Sequence, residues 1–322
     1  MNNISVVIPA FKAESLISRT IQSILGAGVQ PGNIFVIEDG VFDDTSKALK
    51  QFDEINYISY EKNKGAPYAR NLGLSKVKTK YVMFIDSDDF VSQDLISGLV
   101  SAAEKTAADM AFGPWRYDGN YINQGEIRQP PELPPHDWVF HWINNSSVPT
   151  CSVLWKTTNI KKIGGWNENL KKNQDGEVAI RGLINSKNLA ISTKGYSTYW
   201  QHKSPNRVSN ASPAVTLFTS DIVYEHIIEL IESNSNLLDK KSLLGQYCCQ
   251  NAWLAQAAGH LDKTAKVWLE RSKSLGYKKL GYNPITIRLS ELLGFKKAVI
   301  AKFIILKIIN KAPQQFISYK YK

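Results

Sequence analysis

Short apolar runs and helical patterns alternate along the first 90 residues of the chain. The runs are rich in β-branched and aromatic residues, as strands are, and they cover residues 4–8, 34–37, 57–60 and 81–85. Apolar positions spaced three and four apart predict helices between the runs, at residues 14–25, 43–52 and 67–77. Strands that alternate with helices of this length predict an α/β fold, with a mainly parallel sheet flanked by helices.

Acidic side chains follow two of the predicted strands. Glu38-Asp39 ends the second strand, and Asp86-Ser87-Asp88-Asp89 follows the fourth. Ligands of such sheets bind at the carboxyl ends of the strands, and crowded carboxylates favour a divalent cation among them. We therefore predict a Mg²⁺ or Mn²⁺ site here, with helix capping or turn formation as the alternative role of these acids. The chain has no Gly-x-x-x-x-Gly-Lys loop, which argues against a P-loop NTPase.

The second half of the chain changes character twice. Six prolines interrupt residues 110–150, and we expect this stretch to be irregular. Two short strand-like runs follow, at residues 190–192 and 198–201. From residue 214 onward helical patterns predominate, at residues 222–231, 243–258, 265–275 and 285–293. We therefore predict two domains, an α/β domain at residues 1–212 and a helical region at residues 213–322.

Lysines are concentrated at the end of the chain. The net charge is +10, and residues 296–322 hold seven lysines and no acid, which leaves +3 for all other residues. A nearly balanced body argues against nucleic-acid binding, whereas the tail suits an anionic partner such as a membrane surface. The helix predicted at residues 296–311 either packs on its domain or lies in a membrane interface with snorkelling lysines.

The composition is that of an ordinary globular chain, 43% hydrophobic and 21% charged. Three cysteines in no disulfide or metal-ligand pattern favour a reducing compartment. The N-terminus lacks the pattern of a signal peptide, and no uncharged run reaches the roughly 18 residues of a spanning helix. We therefore expect a cytoplasmic location, with peripheral contact of residues 296–322 at the inner face of the cell membrane.

Four short motifs occur in order along residues 1–90. They read Val-Val-Ile-Pro-Ala-Phe ending at Phe11, Ile-Glu-Asp-Gly around Asp39, Asn-Lys-Gly-Ala-Pro-Tyr-Ala-Arg-Asn-Leu-Gly around Arg70, and Phe-Ile-Asp-Ser-Asp-Asp ending at Asp89. Together they resemble the first strand, the acidic second-strand motif, the Ala-Arg-Asn segment and the Asp-x-Asp motif of family 2 glycosyltransferases. The resemblance covers about residues 1–210 and implies the GT-A fold.

This resemblance implies a nucleotide-sugar site. Asp39 and Arg70 would hydrogen-bond the uracil of a UDP-sugar, and Phe11 would stack on that base. Asp86 would reach the ribose and the sugar, and Asp88 would hold Mn²⁺ or Mg²⁺. The residues assigned to the site are Pro9, Ala10, Phe11, Asp39, Arg70, Asp86, Ser87 and Asp88. Two alternatives stay open, namely that Phe11 is a core aromatic and that Arg70 is a helix-face charge paired with Asp39.

Two later clusters resemble the acceptor half of the same family. Gly-Gly-Trp-Asn-Glu, with Trp166 at its centre, resembles Gly-Gly-Phe-Asp-Glu, and Asn-Gln-Asp-Gly-Glu, with Asp175 at its centre, lies where the family has Glu-Asp. Asp175 thereby aligns with the general base, while a helix N-cap is its alternative role and Glu177 its rival. Gln174 stands where the family usually has Glu, which puts the strength of the base motif in question.

A last motif, Tyr-Trp-Gln-His-Lys with His202, resembles the family's late Tyr-Arg-x-His segment. It implies that His202 completes the metal shell, with a structural histidine as the alternative. Lys203 and Arg207 follow it and suit a diphosphate. The residues assigned to substrate binding are Trp166, Glu177, Lys203 and Arg207.

The function that the resemblance implies is metal-dependent, inverting glycosyl transfer. The donor would be a nucleotide-sugar, UDP-linked by analogy, and the acceptor a hydroxyl of a glycan or lipid-linked oligosaccharide in surface polysaccharide assembly. Two alternatives stay open: a sugar-phosphate nucleotidyltransferase, and a relative that binds nucleotide or glycan without catalysis. The sequence identifies neither the sugar nor the acceptor.

Overall fold

The computed structural model describes residues 1–40, 44–119, 125–145, 147–201, 212–259 and 261–311, without the side chains of residues 303 and 306–311. The chain forms two compact units, Met1–Asn210 and Ala211–Lys322. Within these described ranges, the strands belong to the first unit and the second unit is helical. No helix in them is both long enough and apolar enough to span a bilayer.

A seven-stranded sheet organises the first unit. The strands of the described residues are β1 (Ile4–Ala10), β2 (Ile34–Asp39), β3 (Asn56–Tyr60), β4 (Tyr81–Phe84), β5 (Phe90–Val91), β6 (Met110–Phe112), β7 (Trp115–Gly119), β8 (Val153–Lys156), β9 (Leu189–Ile191) and β10 (Ser197–Gln201). The large sheet has the order β3-β2-β1-β4-β8-β6-β9, and a small sheet has the order β5-β10-β7. In the large sheet β8 alone runs antiparallel to its neighbours, which confirms the predicted mainly parallel sheet.

Seven helices accompany these strands in the described part of the first unit. They are α1 (Ile17–Gly26), α2 (Thr45–Leu49), α3 (Ala66–Lys76), α4 (Leu95–Thr106), α5 (Pro135–Asn144), α6 (Thr157–Lys162) and α7 (Gln174–Ile184). Helix α1 buries Ile17, Thr20, Ile21 and Ile24 against the sheet, as the three- and four-residue spacing predicts.

The expectation of an irregular stretch at residues 110–150 is wrong for three segments and holds for residues 125–134, which form no helix or strand. Strands β6 and β7 and helix α5 lie there. Pro135 occupies the first position of α5, where a missing N–H costs nothing. Trp138 of α5 is fully buried and packs edge-on against Phe112 of β6. Pro135 therefore begins a helix, and the irregular part of the described stretch is confined to the segments outside these three elements.

The second unit contains α8 (Pro213–Ser233), α9 (Lys241–Ala257), α10 (Asp262–Ser274), α11 (Pro284–Leu293) and α12 (Phe295–Lys311). These helices match the predicted ones, although α8 begins earlier than expected, with Ser212 capping it through the Val215 N–H. Trp268 of α10 is buried between Tyr224 and Tyr247. This aromatic contact joins α8, α9 and α10 into one core.

Candidate active site

The predicted acids lie at one edge of the large sheet. Strand β2 ends at Asp39, and Asp86 and Asp88 follow the end of β4. Strand β1 lies between these two strands, with Pro9 beside Ile37 in the register. Because parallel strands end at the same edge, the fold gathers the acidic residues as the sequence predicts.

Asp39 is buried and organises the loop before α3. Its two carboxylate oxygens accept hydrogen bonds from the backbone N–H groups of Lys64 and Gly65, at 2.6 and 2.8 Å. Gly65 has φ +94°, a conformation that glycine adopts readily. Burial, together with the nearby Asp39 carboxylate, raises the pKa of Tyr60. The buried Asp39 carboxylate therefore fixes the loop that leads into α3.

Phe11 follows β1 and is exposed. Its side chain is 47% accessible, so the alternative that it is a core aromatic is wrong. The preceding residues Pro9 and Ala10 are buried in the sheet. An exposed aromatic ring at the carboxyl end of a central strand is available for stacking.

Helix α1 holds the Asp-Ser-Asp-Asp segment through backbone oxygens. The Thr20 hydroxyl lies 2.9 Å from the Ser87 carbonyl and 2.7 Å from the Asp89 carbonyl. The Arg19 guanidinium donates to the Asp88 carbonyl at 2.8 Å. Sequence reasoning did not identify Arg19 and Thr20 as residues of the site. The signal was weak, because helical spacing does not reveal that these two side chains reach backbone oxygens of the segment after β4.

Asp89 anchors the same segment to the small sheet. It is nearly fully buried, and its Oδ1 accepts a hydrogen bond from the Trp200 N–H of β10 at 2.8 Å. Burial raises the pKa of Asp89 well above its ordinary value, and the Asp88 and Asp86 carboxylates add to this shift. The acidic segment is therefore fixed on both sides, by α1 and by β10.

Arg70 of α3 bridges two carboxylates. Its guanidinium donates to Asp86 Oδ1 at 2.5 Å and lies 3.6 Å from Asp175 Oδ1. The Arg70 side chain is only 4% exposed. Gln174 adds a weak contact, its Oε1 lying 3.4 Å from the guanidinium. The described partners of Arg70 therefore exclude the alternative pairing with Asp39, and they do not fit the predicted contact with a uracil beside Asp39.

The indole ring of Trp166 packs against the guanidinium of Arg70. The guanidinium carbon lies 4.3 Å from the indole ring centre, and Phe84 of β4 packs edge-on against the same indole. Trp166 is 3% exposed, so its ring offers no open face to a substrate. The prediction of Trp166 as a substrate-binding residue is therefore corrected: it positions Arg70.

Asn71 of the Ala-Arg-Asn segment forms hydrogen bonds with the Gly-Gly-Trp-Asn-Glu motif. Its side-chain amide donates to the Trp166 carbonyl at 2.9 Å and accepts from the Trp166 N–H at 2.8 Å. It also donates to Glu168 at 2.8 Å. Sequence reasoning quoted Asn71 within a motif and assigned it no role. The hydrogen bonds to the Trp166 backbone hold in place the residue whose indole contacts Arg70.

Replacing Gly165 by alanine tests this connection. Gly165 has φ +66°, and an added Cβ would lie 2.5 Å from Asn71 Oδ1. We expect a loss of folding free energy of roughly 1–3 kcal/mol, measured by urea unfolding, together with reduced transferase activity. Gly164→Ala is the matched control, since φ is +84° there and an added Cβ meets nothing within 4 Å. Equal losses of activity in the two variants would contradict a role of the Asn71 contact.

Asp175 lies in the first turn of α7. Asn173 occupies the N-cap position, so the alternative that Asp175 caps the helix is wrong. Its side chain is 48% exposed, but the Oδ1 atom is buried toward Arg70. An apolar pocket that includes Trp142, Val148 and Trp155 adjoins it. Burial raises the pKa of Asp175, Arg70 opposes this shift, and Asp86 adds to it.

Glu177, the predicted rival base and substrate ligand, has a different role in the structure. It is 1% exposed and forms a two-pronged ion pair with Arg181. Arg181 also donates to the carbonyls of Ile163 and Gly165. Glu177 therefore fixes the Gly-Gly-Trp loop onto α7, and its buried carboxylate does not fit the role of an acceptor-binding base.

The metal prediction rests on Asp88, whose side chain is half-buried at the sheet edge. Within the described ranges, no group of three or more His, Cys, Asp or Glu residues is arranged to hold a metal ion. A single hard carboxylate still suits Mg²⁺ or Mn²⁺ when substrate phosphates supply other ligands. His202, Lys203 and Arg207, assigned to metal and substrate, lie outside the described residues.

The sequence of the chain is similar to those of known glycosyltransferases. A protein-family model described as "Glycosyl transferase family 2" matches residues 5–156. "Glycosyltransferase GlyA" of Streptococcus pneumoniae is 33% identical over 116 residues, which are 35% of this chain and 16% of GlyA. The chain spans less than two thirds of the length of each of the curated relatives named here.

Two further relatives have more specific names. The Escherichia coli "UDP-Glc:alpha-D-GlcNAc-diphosphoundecaprenol beta-1,3-glucosyltransferase WfaP" is 27% identical over 135 residues, 41% of this chain and 54% of WfaP. The Staphylococcus aureus "Poly(ribitol-phosphate) beta-N-acetylglucosaminyltransferase TarP" is 27% identical over 209 residues, 60% of this chain and 61% of TarP. The first name specifies a diphosphoundecaprenol-linked acceptor, and the second a poly(ribitol-phosphate) acceptor.

Solved structures share the fold. S. aureus TarS 1–349 in complex with UDP-GlcNAc has a TM-score of 0.60 at 14% identity, covering 94% of this chain and 92% of that one. The mannosyltransferase PcManGT of Pyrobaculum calidifontis, in complex with GDP-Man and Mn²⁺, has a TM-score of 0.55 at 14% identity, covering 94% and 86%. Identity at this level concerns the fold alone, and the predicted GT-A fold is confirmed.

Proposed function

We propose that the chain, whose residues 5–156 match the family 2 glycosyltransferase model, transfers a sugar from a UDP-sugar to an acceptor hydroxyl with inversion. The observation that carries the proposal is the Arg70 bridge between Asp86 and Asp175. It joins a carboxylate of the Asp-x-Asp segment, on the donor side, to a carboxylate with a raised pKa on the acceptor side. Two acids in different environments suit two different tasks in one reaction.

Asp175 acts as the general base in this proposal. One of its oxygens faces Arg70, while the side chain as a whole is half-exposed and can meet an acceptor hydroxyl. The carboxylate takes the hydroxyl proton as that oxygen attacks the anomeric carbon. The new C–O bond forms while the bond from the anomeric carbon to the diphosphate oxygen breaks, and UDP departs from the opposite face. A single displacement inverts the anomeric centre.

The other residues of the site bind and orient the donor. Phe11 stacks on the base, and Asp39 accepts its N–H while holding the loop before α3. Asp86, fixed by Arg70, hydrogen-bonds the ribose or the donor sugar. Asp88 would hold Mn²⁺ or Mg²⁺, which when bound supplies positive charge to the departing diphosphate. Arg70 positions carboxylates on both sides of the reacting bond.

Gln174 does not weaken this assignment. Its side-chain amide donates to the Leu170 carbonyl at 3.0 Å, and its Oε1 faces Arg70. It thus holds the segment before α7 at the start of the helix and adds an uncharged contact to the bridging arginine. Asp175 beside it supplies the basic carboxylate, so the base motif is complete without a glutamate at position 174.

The acceptor is proposed as a glycan or a lipid-linked oligosaccharide in surface polysaccharide assembly. This part rests on the names of relatives, since WfaP is named for a diphosphoundecaprenol-linked acceptor and TarP for a poly(ribitol-phosphate). A screen of UDP-sugars against lipid-linked and soluble glycan acceptors, followed by mass spectrometry of the products, identifies both substrates.

Calorimetric titration of UDP into the protein tests the donor site. We expect UDP to bind with Mn²⁺ present, and we expect binding to be lost with EDTA or in Asp88→Ala. Phe11→Ala should weaken binding by roughly 1–3 kcal/mol through lost stacking, whereas Ile127→Ala, which is 46% exposed, is the neutral control. Binding of GDP in place of UDP would revise the nucleotide, and absence of any nucleotide binding would overturn the proposal.

A further inference from the structure

Two consecutive helices of the second unit expose large aliphatic side chains. In α11, Ile285 and Leu292 are 69% and 76% exposed. They are seven residues apart and therefore share one helix face. In α12, Ile300 and Ile304 are 60% and 54% exposed and are four residues apart. We call Ile285, Leu292, Leu293, Ile300, Ile304 and Ile305 the aliphatic surface, because all six are exposed and α11 packs against α12.

The opposite face of α12 already has its partners. Ala298 and Val299 are buried in a cluster with Cys249 and Trp253 of α9. Lys302 lies on this inner side, where its ammonium contacts the Tyr282 hydroxyl and lies 5.5 Å from the Trp253 ring centre. The helix is thus anchored through its small and aromatic contacts, and its exposed isoleucines are not needed for the core of the unit.

Positive charge accompanies the aliphatic surface. Lys297 precedes Ile300 and Ile304 at spacings of three and seven, so it shares their face, and it is exposed. Lys296 is exposed as well and pairs with Asp262 of α10 at 3.1 Å. Glu291 is the last acid of the chain, and seven lysines follow it. In α12, exposed isoleucines lie beside the exposed Lys297, and no acid follows them in sequence; this pattern is typical of a helix that lies in an anionic membrane interface.

We propose that the aliphatic surface of α11 and α12 docks on an anionic phospholipid bilayer, with the isoleucines and leucines inserted at the headgroup level. Lys297 extends its charged end toward lipid phosphates while its stem remains among the apolar side chains. The charge favours lipid over a protein partner, because a protein interface buries few lysines, whereas an anionic leaflet attracts each of them. This inference goes beyond the transfer reaction and does not depend on it.

Co-sedimentation of the full chain with vesicles tests the proposal. We expect binding to phosphatidylglycerol vesicles and at least about tenfold weaker binding to phosphatidylcholine vesicles, since each lysine near an anionic surface contributes. Binding should fall in about 1 M salt, where the Debye length is roughly 3 Å. The double variant Ile300→Ser/Ile304→Ser should bind at least about tenfold more weakly, because two inserted apolar side chains are lost.

Leu238→Ser is the matched control, because Leu238 is 50% exposed and lies in the short 3-10 helix Ser235–Lys240, outside α11 and α12. It should bind vesicles within about twofold of the wild type. Thermal unfolding establishes that both variants are folded. Unchanged vesicle binding of the double variant would overturn the proposal. So would light scattering that shows a wild-type dimer, a monomeric double variant and no vesicle binding, because the surface would then join two copies of the chain.

Discussion

Replacing Asp175 by asparagine is expected to lower turnover by a factor of about 10²–10⁴, the usual contribution of a general base. Asparagine preserves the size of the side chain and a carbonyl oxygen toward Arg70, but it cannot take the proton of an acceptor hydroxyl. Binding of UDP should remain unchanged, because the proposed donor contacts come from other residues. Single-turnover measurement with a defined UDP-sugar separates the chemical step from binding.

The pH profile gives a second readout of the same residue. Burial raises the pKa of Asp175 above its ordinary value, and the carboxylate is the active form of a base. The rate should therefore fall as the pH is lowered through this raised pKa, and the acidic limb should lie above that of an unperturbed aspartate. In Asp175→Asn the residual rate should lose this limb. Glu177→Gln does not test the base, since Glu177 is buried against Arg181.

Gln174→Glu is the informative companion variant. It restores the residue that the family usually has, beside an unchanged Asp175. We expect its turnover within a few-fold of the wild type, because Gln174 already completes its contacts with Leu170 and Arg70. Unchanged turnover in Asp175→Asn, with a large gain in Gln174→Glu, would move the base away from Asp175.

The large sheet and its acidic edge could be predicted because both depend on patterns of residues that are close together in sequence. Alternating strands and helices define a parallel sheet, and parallel strands bring their carboxyl ends to one edge. Asp39, Asp86 and Asp88 could therefore be grouped without any structure. The same holds for α1, whose spacing of apolar residues identified its buried face.

The contacts of Arg70 could not be predicted, because they join residues far apart in sequence. Asp86 is near Arg70 in the chain, but Asp175 and Trp166 are about a hundred positions away, and only packing brings them together. The resemblance to the acceptor motifs of family 2 glycosyltransferases assigns Trp166 and Glu177 to substrate binding. Both side chains are buried in the structure and therefore cannot meet a substrate. Their burial follows from the tertiary fold and could not be predicted from sequence spacing.

Arg70→Met is expected to have the largest combined effect on activity and stability. It removes the cation shared by Asp86 and Asp175 and leaves two carboxylates facing a partly buried space. Turnover should fall by about 10²–10³, in the range for loss of a preorganised charge at an active site. The free energy of unfolding at pH 7 should drop by roughly 3 kcal/mol, at the lower end for breaking a buried pair because both acids are partly exposed.

The dependence on pH distinguishes this effect from a simple loss of packing. Arg70 lowers the pKa of Asp175, so its removal raises that pKa further and should move the acidic limb of the rate profile to higher pH. A carboxyl whose folded pKa lies above its unfolded value contributes stability below the unfolded pKa, and this contribution is lost as the pH rises through the folded pKa. The stability of the variant should therefore decline from about pH 4 upward more steeply than that of the wild type.

Two further variants serve as controls. Arg70→Lys keeps the charge but lacks the planar fork that reaches two carboxylates, so it should recover most of the stability and only part of the turnover. Lys47→Met removes an exposed cation of the same unit that pairs with the exposed Asp44, and it should cost less than about 1 kcal/mol. If Arg70→Met lost turnover with an unshifted acidic limb, Arg70 would act through packing on Trp166 alone, and the bridge between the donor side and the base would be refuted.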